Sequence, residues 1–512
     1  MIVKVRDWSQ NFFWRQHFKT LAPIVCAYLA LAFYGIDQQS LWEDEYNSVW
    51  RVTASSYPIW KDGHGFLYFA LLWLWVHLGT SELVLRSLSV CLGALAISLF
   101  YFTSSKLLNR RATVIGTILI ATSPFMIWYS QEVRYITLVL TTTLFTIYVF
   151  QVALTRDRFV WWLAYSGASL FAFFSFLSAL LLPLFHGLYL LISSSSRPLL
   201  KKWAVCQLVI LALFAVWFVN GTLYFKPLVE AVTNLNQESF PGDSKLLPFT
   251  GDFNQVRAAV IPYTFFVFSA GFSLGPPPRE LYADRSLAPL LPHISTIILL
   301  VLLYGCLLFS GWRALQNNKN GRLFLALWTA VPVLSAFAIA KCLNIYYDVR
   351  YVALAFPAYI LLLASGIAGI KSRKLQLMLF AAILSVHGVA LANYYFDPRY
   401  SREDTRSAAE FLQSQSKPQD AVWVVGTLSS LPHYYEGTLA LLDFNGLYLA
   451  DGSWAKPIRN LRANHERLWL VQIRPWQTDR GGKIKALLDQ TYHRTTGRQF
   501  PGVDIDLYHL SQ

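Results

Sequence analysis

Charge is what this sequence has least of: only 14% of its 512 residues are Asp, Glu, Lys or Arg, where an ordinary soluble domain carries roughly 25%. That argues against a soluble fold of this length. Cysteine is scarce too. Cys26, Cys91, Cys206, Cys306 and Cys342 fall within or at the ends of apolar stretches, without CxxC or CxxH spacing, and so read as small core hydrophobes. No G-x-G-x-x-G follows a strand, so no nucleotide-binding fold is expected. No internal repeat suggests a transporter built of two halves. The N-terminus has neither an early apolar run nor a small-residue cleavage site, and residues 1–20 read as a basic cytoplasmic tail.

What is present is apolar. Hydrophobic residues make up 55% of the chain and aromatic residues 16%. They gather into charge-free runs such as 112–131, 135–155, 203–225 and 351–370, each near the roughly 20 residues a helix needs to cross a bilayer. The net charge of +14 lies mostly in short turns between these runs. That is the positive-inside pattern of a membrane protein and not a nucleic-acid face. With Lys4, Arg6, Arg15 and Lys19 inside, the alternation of basic turns gives about eleven transmembrane helices between residues 21 and 396. It makes 38–80 a first outer loop carrying an interfacial helix, and 223–292 a large outer loop with a re-entrant or surface segment. From residue 397 the composition turns polar. Strand-like runs at 421–425 and 468–473, with helix-like stretches at 407–414 and 483–490, predict a small soluble α/β domain (397–512) outside the cytoplasm. The expected location is the plasma membrane, crossed many times.

Two clusters could carry chemistry. The first outer loop opens on Trp42-Glu43-Asp44-Glu45, three adjacent carboxylates next to a span. Like charges so close raise one another's pKa, which favours a proton-accepting role for one of them; a solvated acidic loop is the plain alternative. The second is a set of cations on the same face, against the positive-inside tendency: Arg86, Arg134 and Arg350 begin inward-running helices and Lys341 ends an outward one. A lipid phosphate would satisfy them. So would a set of structural ion pairs with Glu82, Glu132 and Asp348.

These features resemble the GT-C membrane glycosyltransferases, in particular the bacterial relatives of protein O-mannosyltransferases and of the lipid A aminoarabinose transferase. The resemblance covers about residues 20 to 410. It rests on Asp44-Glu45, on His64-Gly65-Phe66-Leu67-Tyr68, on Ser123-Pro124-Phe125 with Tyr129-Ser130-Gln131-Glu132-Val133-Arg134-Tyr135, and on Arg350-Tyr351 followed by Pro357. Gly65-Phe66 stands where the family often has two prolines, and Ile136-Thr137 where it prefers alanine and leucine. The resemblance implies inverting transfer of a sugar from a polyprenyl phosphate donor to a lipid, glycan or protein acceptor. Asp44 would be the base, Glu45 and Glu132 would orient acceptor or sugar, and Arg134, Arg350 and His64 would hold the leaving phosphate. Glu43, which could replace Asp44 as base, joins Arg86, Lys341, Tyr129, Tyr135 and Tyr351 in the expected substrate-binding set. A divalent metal could bridge phosphate and carboxylates, but no ligand cluster assigns one. The rivals are a transporter or flippase for an anionic lipid or solute, and a non-catalytic member of the class. The absence of charge deep within the spans argues against transport.

Overall fold

The computed structural model describes residues 3–54, 57–62, 65–238, 258–284, 286–426, 430–443, 461–479 and 481–510. Each stretch expected to cross the membrane is helical. Among the described residues seven helices are long and apolar enough to span a bilayer, or up to eight if one bent pair is counted as a span. The rest are shorter apolar helices, among them His17–Phe33, Phe66–Leu78, Phe159–Ser175 and Leu177–Ile192. Local chemistry sets the starts of the long helices. Ser81 accepts from Val84 N at 3.4 Å, Asn109 from Ala112 N at 2.9 Å and Asn318 from Gly321 N at 2.9 Å, each satisfying a donor the helix leaves open. Pro124 breaks the bent pair, Arg110–Thr122 and Pro124–Ser130, which turns by 50°.

In lipid no hydrophobic force separates helix faces from solvent, so close backbone packing through small residues does the joining. Helices Ile294–Ala314 and Phe356–Ala368 meet this way at Gly311 and Gly366. A Cβ at Gly366 would lie 2.1 Å from Leu307 O, and one at Gly311 would lie 2.1 Å from Leu362 O. Gly366→Ala should therefore cost roughly 1–3 kcal/mol through overpacking and lower the melting temperature in detergent. A variant melting with the parent chain would show that the two helices yield freely.

The segment 258–278, expected to be re-entrant or on the surface, contains an eleven-residue helix, Val260–Ala270, ending at Gly271 with φ 68°. It packs on protein: Phe268 meets Phe125 with ring centroids 5.2 Å apart, and Tyr304 donates to Ser269 O at 3.0 Å. The C-terminal domain holds a five-stranded mixed sheet of β1 (Ala421–Val425), β2 (Leu441–Asp443), β3 (Arg467–Ile473), β4 (His493–Phe500) and β5 (Val503–His509), in the order β2-β1-β3-β5-β4. Helices Thr405–Gln415 and Lys483–Thr491 pack on it through Leu412 and Leu488.

The loops expected in the cytoplasm meet one another. Asn320 donates to Ser195 Oγ at 3.1 Å, Asn318 to Leu107 O at 3.5 Å, and Lys202 pairs with Asp157 at 2.7 Å. The first loop, the turn at 131–135, the start of Val349–Ala355 and the C-terminal domain likewise converge through the contacts described next.

Candidate functional site

The three adjacent carboxylates open helix Glu43–Thr53, where the positive end of the helix dipole favours them. Each meets a different cation. Glu43 Oε2 lies 3.1 Å from Arg474 Nη1 of the C-terminal domain. Glu45 is fully buried and receives Arg86 Nε and Nη2 at 2.9 Å each, Arg402 Nη1 at 2.8 Å and the Val133 N–H at 2.9 Å. It also reaches back to Trp42 N at 3.3 Å, closing the first turn of its own helix. Asp44, partly exposed, is gripped by the Arg350 guanidinium through Oδ2, and Arg134 Nη2 lies 3.6 Å from the same oxygen.

The two arginines on Asp44 come from different parts of the chain. Arg134 sits in the turn between Pro124–Ser130 and Ile136–Arg156, and also donates to Asp44 O and Ser48 Oγ at 3.3 Å each. Arg350 follows Asp348, whose carboxylate caps the Arg350 N–H at 2.9 Å and lies 3.1 Å from Arg350 Nε. A layer of rings joins them: Arg134 lies 4.7 Å over Tyr135, Tyr135 stacks on Phe176 at 4.2 Å, Phe176 on Tyr351 at 5.7 Å, and Arg350 lies 5.6 Å over Tyr351. The stack fixes the direction of both guanidiniums. Arg134 Nε is buried and has no hydrogen-bond partner among the described residues, so donor capacity remains for an anion.

Burial raises the Asp44 carboxyl, but Arg134 and Arg350 outweigh it and hold Asp44 below the usual carboxylate range. In Glu45 burial is likewise outweighed, by Arg86 and Arg402. Glu132 differs. Burial pushes it up to about 7, although Arg402 Nη2 approaches its Oε1 at 3.1 Å, and the nearby charge of Glu45 adds to the rise.

Residues 63–219 match the family model described as dolichyl-phosphate-mannose-protein mannosyltransferase. Among solved structures, ArnT from Cupriavidus metallidurans in the apo state is 14% identical with a TM-score of 0.57, the match covering 95% of this chain and 97% of that one. The same protein bound to undecaprenyl phosphate is 13% identical with a TM-score of 0.57, covering 96% and 98%. The archaeal oligosaccharyltransferase AglB from Archaeoglobus fulgidus, in complex with an inhibitory peptide and a dolichol-phosphate, is 13% identical with a TM-score of 0.55, covering 98% and 75%. This chain has the GT-C glycosyltransferase fold. The resemblance read from the sequence motifs is thereby borne out, while no curated protein matches the chain.

Within this GT-C fold the expected site residues divide. Asp44, Arg134, Arg350, Tyr135 and Tyr351 come together, with Glu43 one residue away. Arg86 is 1% exposed and spent on Glu45 and on the carbonyls of Ile36, Gln39 and Ser40. It is a structural cation with no donor turned to a ligand. Glu45, on Asp44's own helix with both oxygens engaged, and Glu132, bound to Arg402, are buried and tie that helix and the turn before Arg134 to Arg402. Tyr129 is buried against Phe125. Lys341 is exposed in the last turn of Lys319–Leu343, and none of its described contacts is with Asp44, Arg134 or Arg350. His64 lies outside the described residues. Among the described residues no three His, Cys, Asp or Glu side chains converge as metal ligands. The residue that sequence reading missed is Arg402, just beyond the last span, which binds Glu45, Glu132 and, at 3.2 Å, Gln131 O.

Proposed function

We propose that this protein is a membrane glycosyltransferase that moves a sugar, with inversion, from a polyprenyl-phosphate-linked donor to an acceptor hydroxyl on a lipid, glycan or protein. The family match over residues 63–219 and the shared fold support the coarse reading, a membrane glycosyltransferase drawing on a lipid-linked sugar. The observation that carries the finer one is the convergence of Arg134 and Arg350 on Asp44. Base and leaving-group cations are thus within one sugar phosphate of each other. The convergence lies at the end of the bundle away from the basic turns, which supports a site on the non-cytoplasmic face of the plasma membrane, with the C-terminal domain on that side.

The Asp44 carboxylate occupies, beside the Arg134 and Arg350 guanidiniums, the place an anion would take. A donor phosphate competes for the same guanidiniums, so its arrival loosens Asp44 and makes it a better base where a base is needed. Asp44 then takes the proton of the acceptor hydroxyl as that oxygen bonds to the anomeric carbon. The carbon–oxygen bond to phosphate breaks, and its electron pair leaves with the polyprenyl phosphate. Arg134 and Arg350 meet the charge that grows on the phosphate, an interaction stronger in the transition state than before it. A transporter would want its charged groups near mid-membrane; the site at one end favours the enzyme.

Arg134→Ala and Arg350→Ala should each weaken binding of undecaprenyl phosphate about tenfold or more, as expected for a charge-assisted hydrogen bond of roughly 1.5–3 kcal/mol. Native mass spectrometry of the purified chain measures this, and unchanged affinity would mark the arginines as partners of Asp44 alone. The free chain's kcat/KM should keep its acid limb below the ordinary carboxylate range. A depressed acid stays ionised below its ordinary pKa and loses its ion pairs only as pH falls through the lowered one. Comparing envelope glycolipids and glycans by mass, with and without the protein, tests the reaction itself. A product that vanishes with the protein supports it, and identical envelopes refute it.

A further inference from the structure

The carboxylates flanking Asp44 are both held from the C-terminal side of the molecule. Arg402 has side-chain exposure of 6% and joins two separate segments: Nη1 bonds Glu45 of the first-loop helix, and Nη2 bonds Glu132, two residues before Arg134. Its guanidinium also lies 5.5 Å over the Trp128 ring. Arg474, at the end of β3, bonds Glu43 at 3.1 Å and Glu403, the neighbour of Arg402, at 2.7 Å. Its backbone is held left-handed, with φ 52°, by the bond from its N–H to Gly502 O at 2.9 Å. A non-glycine residue in that region is strained, and strain of this kind persists where surrounding structure imposes it. The strap continues: Arg406 pairs with Glu82 at 2.5 Å, and Ser40 Oγ donates to Asp404 at 3.2 Å.

We propose that Arg402 and Arg474 are positioning residues for sugar transfer: by fixing Glu45 and Glu43 they set the rotation of helix Glu43–Thr53 so that Asp44 faces Arg134 and Arg350. The C-terminal domain is then part of the catalytic framework. The geometry supports this directly. Neighbouring residues on a helix point about 100° apart, so pinning the side chains on both sides of Asp44 leaves it one direction to face. Arg402 additionally ties that helix to the turn carrying Arg134, so one side chain sets the spacing of base and phosphate cation.

The proposal rests on the glycosyltransferase reading, and the test separates the two. The parent chain, Arg402→Gln, Arg402→Lys and Arg474→Gln are expressed in cells lacking the protein. Two quantities are measured: the envelope product, by mass spectrometry, and the affinity of each purified full chain for undecaprenyl phosphate. Arg402→Gln and Arg474→Gln are expected to lower product about tenfold or more while changing lipid affinity less than about threefold. Arg402→Lys, which keeps the charge but not the fork, is expected to restore part of the product. A merely structural role would lower folded protein and affinity together. Arg474, partly exposed in a turn, keeps the test decisive if Arg402→Gln does not fold. Product at the parent level in Arg402→Gln and Arg474→Gln would overturn the positioning role while leaving the enzyme reading intact. No product from the parent chain would overturn both.

Discussion

Asp44→Asn is expected to abolish transfer and yet bind undecaprenyl phosphate more tightly than the parent chain. Loss of a general base costs typically 10²–10⁴ in rate, and asparagine, isosteric but without basicity at this pH, leaves the packing of helix Glu43–Thr53 intact. The gain in affinity follows from competition. Oδ2 of Asp44 is the oxygen that Arg350 and Arg134 both face, and removing its charge frees both guanidiniums for phosphate. A gain of about tenfold corresponds to ~1.4 kcal/mol, modest for two charged partners. If Asp44→Asn instead bound lipid phosphate more weakly, Asp44 would be a member of the phosphate site and not its competitor.

The second large effect is on stability. Glu45 is 0% exposed and satisfies two arginines, themselves 1% and 6% exposed. Glu45→Gln would leave Arg86 with no carboxylate in the interior and Arg402 with Glu132 alone, a change of the kind that costs roughly 3–5 kcal/mol. A fall of many degrees in the melting temperature in detergent, read by tryptophan fluorescence, is the expected outcome, with Asp44→Asn melting near the parent. A Glu45→Gln chain as stable as the parent would show that water or a rearranged partner reaches the two arginines.

The contrast between Asp44 and Glu45 marks the limit of what a sequence reveals. The spans were legible because apolar runs of bilayer length leave few alternatives, and Asp44, Arg134 and Arg350 were legible because they sit at span ends on one face. The pairing of charges was not. Sequence neighbours suggested Glu82 with Arg86, Glu132 with Arg134 and Asp348 with Arg350, but only the last is made, at 3.1 Å. Glu82 goes to Arg406, and Glu132 to Arg402. Sequence spacing does not decide the pairing: Glu82 and Arg86 are four apart on one helix, where side chains are neighbours, yet Arg86 is drawn to the buried Glu45 and Glu82 to Arg406, both from distant segments. Arg402 was invisible for the same reason, reading as one charge among several in a polar linker. In the C-terminal domain β1 and β3 announced themselves as apolar runs buried on both faces. β4, His-Arg-Thr-Thr-Gly-Arg-Gln-Phe, did not, because it is an exposed polar edge strand whose place comes from pairing with β5.

A structure of this chain with undecaprenyl phosphate bound decides whether the base and the donor phosphate share one pair of arginines. Phosphate oxygens are expected within hydrogen-bond distance of Arg134 and Arg350, with the Asp44 carboxylate released from Arg350 toward the acceptor side. Phosphate seated on other residues, with Asp44 still bound to Arg350, would contradict it.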